Sequence, residues 1–194
     1  MSEAENIKVY SPHDALKVLL YQTANTINTG AQNKLYRRKL FDKIRFPFGL
    51  YYEDLATTYR IFFECRQIAL TQEKMYLYRV SQNSILRQSF SPKMLSCIQV
   101  SRQLYQDISA KFPDLEKAAA SRAFSVNRAI FLQLPHDKKD ERKQVWQEMK
   151  KYRRTVIFDS QARKRERLAA LLSYSGSKIF HLFAFLYRRW QMRT

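Results

Sequence analysis

Residues 44–63 read IRFPFGLYYEDLATTYRIFF. Pro47 and Gly49 interrupt any regular pattern that reaches them, so Phe46-Pro47-Phe48-Gly49 is a loop. From Glu53 the apolar positions recur at three and four residues. Leu55, Tyr59 and Phe62, with Ile61 and Phe63, therefore line the inner face of a helix. Glu53 and Asp54 sit at its first turn, where carboxylates favour the helix dipole. The stretch is thus a loop delivering two acids onto the start of a partly buried helix.

Working outward, Ser11-Pro12-His13-Asp14 is a turn and cap signal before Ala15, Leu16, Val18, Leu19 and Leu20, a short buried helix. An Asn- and Thr-rich polar stretch runs to Gln32. Leu35, Tyr36, Leu40, Phe41 and Ile44 then predict a basic helix. Downstream, Ile68-Ala69-Leu70 and Met75-Tyr76-Leu77-Tyr78 are candidates for strands or extended segments, and the compact portion closes between Ile85 and Phe90.

Beyond Ser91-Pro92 the texture becomes long helices over Met94 to Lys111, Leu115 to Leu134 and Lys138 to about Arg153. They are broken at Phe112-Pro113-Asp114 and Pro135-His136-Asp137. The run Arg163-Lys164-Arg165-Glu166-Arg167, an apolar Leu168 to Leu172, a Ser-Gly-Ser turn and a final amphipathic helix from Lys178 follow. The predicted fold is mainly α with a few short strands, organised as a domain over 1–90 and a basic helical extension over 91–194.

Bulk composition agrees. With 45% hydrophobic residues in 194 the chain buries a core, and 3 Gly and 5 Pro are too few for a turn-rich all-β fold. A formal charge of +18 points to a polyanionic partner, whether nucleic acid, an anionic membrane or phosphorylated substrates. Cys65 and Cys97 lack metal-ligand spacing and read as reduced thiols of a cytoplasmic protein. The acidic, polar start lacks the pattern of a signal peptide, and the apolar run Ile179 to Tyr187 is far short of the ~20 residues that span a bilayer. His13, His136 and His181 are scattered without ligand spacing.

Three linked segments carry a resemblance. They are Asn33 to Phe41 (NKLYRRKLF), Ile44 to Pro47 with Tyr51 to Tyr59 (IRFP, then YYEDLATTY), and Met75 to Arg79 with Asn83-Ser84-Ile85 (MYLYR, then NSI). In order and spacing the set resembles the acceptor-side half of bacterial family 2 glycosyltransferases that build surface polysaccharides. The resemblance covers roughly residues 8–90 and extends to the basic helical tail. It implies the C-terminal portion of an α/β nucleotide-diphospho-sugar transferase fold. In such enzymes a preceding nucleotide-binding half holds Mg or Mn through an aspartate motif. These 194 residues contain no D-x-D, and the 32 before Asn33 are too few for that half, so the expectation is a truncated or split gene, or a separate donor-binding polypeptide. Phe48 and Leu50 depart from the charged residues usual around the family's glycine.

The resemblance assigns Asp54 as the base of an inverting transfer from a nucleotide-sugar to a polysaccharide or lipid-linked acceptor, with Glu53 positioning it. Without it, the same pair reads as a helix start. Lys34, Arg79 and Ser84 are candidates for substrate phosphate or sugar, Ser84 having as its alternative a role in holding its loop through local hydrogen bonds. In the last helix Phe180, Phe183 and Trp190 with Arg188 and Arg189 are candidates for a membrane interface at the cytoplasmic face. A second reading is a non-catalytic basic module that binds anionic membrane or nucleic acid, using Lys150 to Arg154 and Arg163 to Arg167 against phosphates.

Overall fold

The computed structural model describes residues 7–22, 27–77, 79 and 90–191, with backbone alone for 185–191. The chain is mainly helical, with two short strands among the described residues. It divides into two compact units, Met1–Ser96 and Cys97–Thr194. Sequence texture changes near residue 90, but the next few residues stay with the first unit. The Ser96 hydroxyl donates to the Tyr51 carbonyl at 3.0 Å, and the Lys93 ammonium lies 5.9 Å from the Tyr51 ring centre.

The first unit begins with β1 (Ile7–Tyr10), followed by α1 (Pro12–Tyr21). Ser11 caps α1 by accepting the Asp14 N–H at 3.1 Å, and Pro12 occupies the first turn, where its missing N–H costs nothing. Ala15, Leu16, Leu19 and Leu20 form its buried stripe. The helix packs on α2 (Glu53–Glu64), whose buried face holds Leu55, Tyr59, Ile61 and Phe62. Phe63 is half-buried and meets Tyr59 edge-on at 5.5 Å. β2 (Ile68–Thr71) pairs antiparallel with β1, Ile7 opposite Thr71 and Tyr10 opposite Ile68.

Two expectations for this unit change. Ile68–Thr71 pairs with an N-terminal strand, Ile7–Tyr10, that the polar start of the chain had hidden. Met75 to Leu77 is exposed and outside the sheet; Tyr78 lies outside the described residues. The segment Asn33 to Ile44 holds only a 3-10 turn, Arg38–Phe41, in place of the expected helix. Helices in proteins persist by burying an apolar face, and here Leu35 is fully exposed among five exposed cations, Arg37, Arg38, Lys39, Lys43 and Arg45. The loop is tied instead by a stack of Tyr36, Phe41 and Phe46, with successive ring centres 5.4 and 6.1 Å apart. Gly49, at φ +73°, makes the turn beyond it.

The second unit comprises α3 (Ser96–Lys111, from Cys97 on), α4 (Glu116–Gln133), α5 (Lys139–Ile157), α6 (Lys164–Leu172) and α7 (Ser177–Gln191). Pro113 and Pro135 fall at the breaks on either side of α4, as read from the sequence. α4 is the central element, packed against α5 and α6, and its small residues Ala118, Ala119, Ala120 and Ala123 let neighbours close on nearly every side. Arg142 of α5 closes its C-terminal end, donating to the Phe131 and Leu134 carbonyls at 3.2 and 2.6 Å while its guanidinium lies 4.4 Å from the Phe131 ring centre.

Several polar groups inside this unit are paired, some of them across helices. Asn127 of α4 donates to Ser101 of α3 and to the Ala123 carbonyl, both at 2.8 Å. Glu148 of α5 receives Arg102, Lys151 and the Tyr152 hydroxyl. Glu166 of α6, fully buried, accepts both Nε and Nη2 of Arg128 at 2.8 and 2.9 Å, together with Arg163 and Arg165. Burial opposes the charge of Glu166, but the hydrogen bonds from Arg128 and the fields of the three arginines prevail and hold its carboxyl below the usual range.

α7 is attached by its inner stripe. Phe180 is buried against Phe131 and Trp146, at 6.0 and 5.4 Å between ring centres, and His181 Nδ1 lies 3.2 Å from Arg142 Nη2. Phe180 therefore faces the protein interior, which corrects its assignment to a membrane contact. Phe183, 49% exposed, lies on the outer stripe. The side chains of Arg188, Arg189 and Trp190 lie outside the described residues. Among the described residues no helix is long and apolar enough to cross a membrane.

Candidate functional site around Asp54

The site begins with an unusual backbone turn. Tyr52, the residue that caps α2, has φ +65°, a left-handed conformation that costs a bulky residue about 1–2 kcal/mol. The chain thereby turns abruptly into the helix, and the Tyr52 carbonyl still accepts the Ala56 N–H at 2.9 Å. Glu53 is left exposed, whereas Asp54 is half-buried. No side chain caps the α2 N-terminus at Tyr52; instead Asp54 Oδ1 accepts the N–H of Leu55 at 2.7 Å.

The second oxygen of Asp54 is held from a distant part of the chain. Thr29 Oγ1 donates to Oδ2 at 3.2 Å. Thr29 is itself fixed, because the buried Thr58 hydroxyl, one turn further along α2, donates to its carbonyl at 2.6 Å. Lys34 folds back over the same loop. Its ammonium donates to Asn28 Oδ1 at 2.9 Å and to the Gly30 carbonyl. Burial lowers the Lys34 pKa, and the nearby charge of Asp54 pulls the other way. Tyr36 completes the group, its phenol pushed up by burial.

The structure thus gathers Asp54, Thr29, Thr58, Lys34 and Tyr36 into one cluster. Asp54 and Lys34 were legible as candidates. Thr29, Thr58 and Asn28 were not: Thr58 lies within the YYEDLATTY segment, and the signal for the other two was the turn-forming Asn28-Thr29-Gly30 within a stretch read only as polar. Arg79 is exposed and the described contacts do not bring it to Asp54; Ser84 lies outside the described residues. Asn33, beside Lys34 in sequence and left-handed at φ +58°, lines an open cleft of about 580 Å³ whose other walls are Leu70 to Leu77.

Among the described residues no group of three or more His, Cys, Asp or Glu side chains is placed to hold a metal ion. Glu53 and Asp54 alone do not make the donor set that a divalent ion takes. Chemically, the cluster offers a carboxylate oriented by two donors, beside a cation.

Over 106 residues, 55% of this chain, the sequence is 29% identical to glycosyltransferase GlyG of Streptococcus pneumoniae serotype 4 (strain ATCC BAA-334 / TIGR4). The similarity is to a glycosyltransferase. The matched part is 33% of that protein, so the chain spans about a third of the length of the relative. No family model matches, and no solved structure matches.

Proposed function

We propose that this chain carries the acceptor side of a family 2 glycosyltransferase site, acting with a donor-binding half that supplies the nucleotide-sugar. The observation that carries the reading is the double tether of Asp54, whose oxygens are held by Thr29 and by the Leu55 N–H at the opening turn of a packed helix. Each oxygen keeps a further lone pair for an acceptor hydroxyl.

In this reading Asp54 takes the proton of the acceptor hydroxyl as its oxygen attacks the anomeric carbon. The new C–O bond forms on the face opposite the leaving nucleoside diphosphate, which departs with the electron pair of the broken bond, and the configuration inverts. Lys34 sets the electrostatics beside Asp54, and exposed Glu53 contacts the acceptor. Acceptors of this class are polysaccharide or lipid-linked sugars. A divalent ion would neutralise the leaving diphosphate; the residues described here do not fit one, and no step above depends on it.

The test is Asp54→Asn in the enzyme assembled with its donor-binding half, assayed for sugar transfer. Transfer should be lost with the helical circular dichroism unchanged. Undiminished transfer removes Asp54 from the base role.

A further inference from the structure

The outer surface of α6 and α7 is apolar to a degree that the fold itself does not use. In α6 the inward stripe is Glu166 and Ala170, continued by Ser173 in the turn after it; in α7 it includes Phe180. The other side of α6 exposes Leu168 (56%) and Leu171 (57%), and α7 exposes Ile179 (47%), Leu182 (55%) and Phe183 (49%) to one side of Phe180, with Tyr174 (53%) in the turn that joins the two helices. The spacings 168/171 and 179/182/183 each mark one stripe of a helix.

The charges around these stripes have one sign. Lys164, Arg167 and Lys178 are exposed. The one carboxylate of α6 and α7, Glu166, is buried and neutralised by Arg128, Arg163 and Arg165. No Asp or Glu follows it in the sequence. By contrast the run Lys150 to Arg154 is partly consumed inside the unit, with Lys151 on Glu148 and Arg153 stacked 3.7 Å from the Tyr174 ring centre. That weakens it as a phosphate-tracking stripe.

From this geometry we infer that the exposed sides of α6 and α7 dock on an anionic lipid surface, Leu168, Leu171, Ile179, Leu182 and Phe183 entering the acyl boundary and Lys164, Arg167 and Lys178 meeting lipid phosphates. Nucleic acid would satisfy the cations but leave the apolar stripes in water. A neutral apolar partner would leave the cations without counter-charge. A bilayer interface satisfies both layers at once. α7 is ~22 Å long at 1.5 Å per residue, short of the ~30 Å hydrocarbon core, so it lies in the interface plane. The inference concerns the second unit alone and stands apart from the transferase reading.

The experiment is vesicle flotation of the full chain with phosphatidylcholine alone, and with phosphatidylcholine mixed with phosphatidylglycerol. Binding should require phosphatidylglycerol and weaken with salt. Replacing Leu168, Leu171, Leu182 and Phe183 by Ser, all exposed positions, should cut binding by about tenfold or more without lowering the melting temperature. Lys164→Gln, Arg167→Gln and Lys178→Gln should each cost about fivefold. The proposal is overturned if the Ser variant floats like the parent, if the parent fails to float, or if single-stranded DNA displaces the parent from vesicles while the Ser variant keeps full affinity for that DNA. A parent that sediments as a dimer, with the Ser variant monomeric and neither bound to vesicles, overturns it in favour of a second copy of the chain as the occupant.

Discussion

Thr29 reaches across twenty-five positions of sequence to donate its hydroxyl to Asp54 Oδ2 at 3.2 Å. That contact turns a helix-starting carboxylate into an oriented one. Its second tether, the Leu55 N–H on Oδ1, is local, between adjacent residues. The long-range bond is therefore what distinguishes a poised Asp54 from an ordinary helix terminus.

If the carboxylate acts as the base, Thr29→Val should lower kcat of the assembled enzyme about tenfold with KM little changed, since a hydrogen bond to a charged group contributes about 1.5–3 kcal/mol. Valine keeps the backbone carbonyl that Thr58 uses, so the loop should stay in place. Adding Thr29→Val to Asp54→Asn should slow the reaction no further. Additive losses in that double-mutant cycle would show that Thr29 acts elsewhere.

Glu166 makes a separate prediction about stability. Its folded pKa lies below its ordinary value of 4.5, so the stability it contributes is fully present above that value and is lost as pH falls through the depressed folded pKa. Glu166→Gln leaves Arg128, Arg163 and Arg165 without their counter-charge and should destabilise the second unit by roughly 3–5 kcal/mol at neutral pH. It should also flatten the acid limb of a melting temperature profile below about pH 4.5. Glu148, also depressed by Arg102, Lys151 and Tyr152 against its burial, should supply the slope that remains.

The two thiols should separate in a labelling experiment. Cys97 is fully buried, 3.9 Å from Asn127 Oδ1, and burial pushes its thiol up to about 12. Cys65 is half-buried and raised less. A disulfide reagent at neutral pH should therefore modify one thiol slowly in the native protein and both in denaturant. Rapid native modification of Cys97 would mean that α3 opens far more readily than its packing on α4 implies.

Much of the local architecture was readable from residue types. The periodicity of Leu55, Tyr59 and Phe62, the cap at Ser11-Pro12, and the breaks at Pro113 and Pro135 each depend on neighbours within a few positions, and each appears where the pattern puts it. The basic segment after Asn33 misled because its apolar spacing is helical while its burial is not. With Leu35 fully exposed, no packed face supports a helix there. Phe180 and Phe183 looked equivalent in composition and lie one turn apart on α7, yet one is buried against Phe131 and Trp146 and the other is half exposed.

By itself, then, the sequence determined the helical character of this protein, the loop-to-helix entry that carries Glu53 and Asp54, and the succession of basic helices beyond Pro92. These are matters of local backbone preference, set by proline, glycine, capping residues and the spacing of apolar side chains. Only the tertiary structure decided that β1 pairs with Ile68–Thr71, that Thr29 and Thr58 brace Asp54, and that Glu166 lies buried among three arginines. Each of those joins residues far apart in the chain, where the outcome depends on which surfaces exclude water together and which polar groups must find partners there.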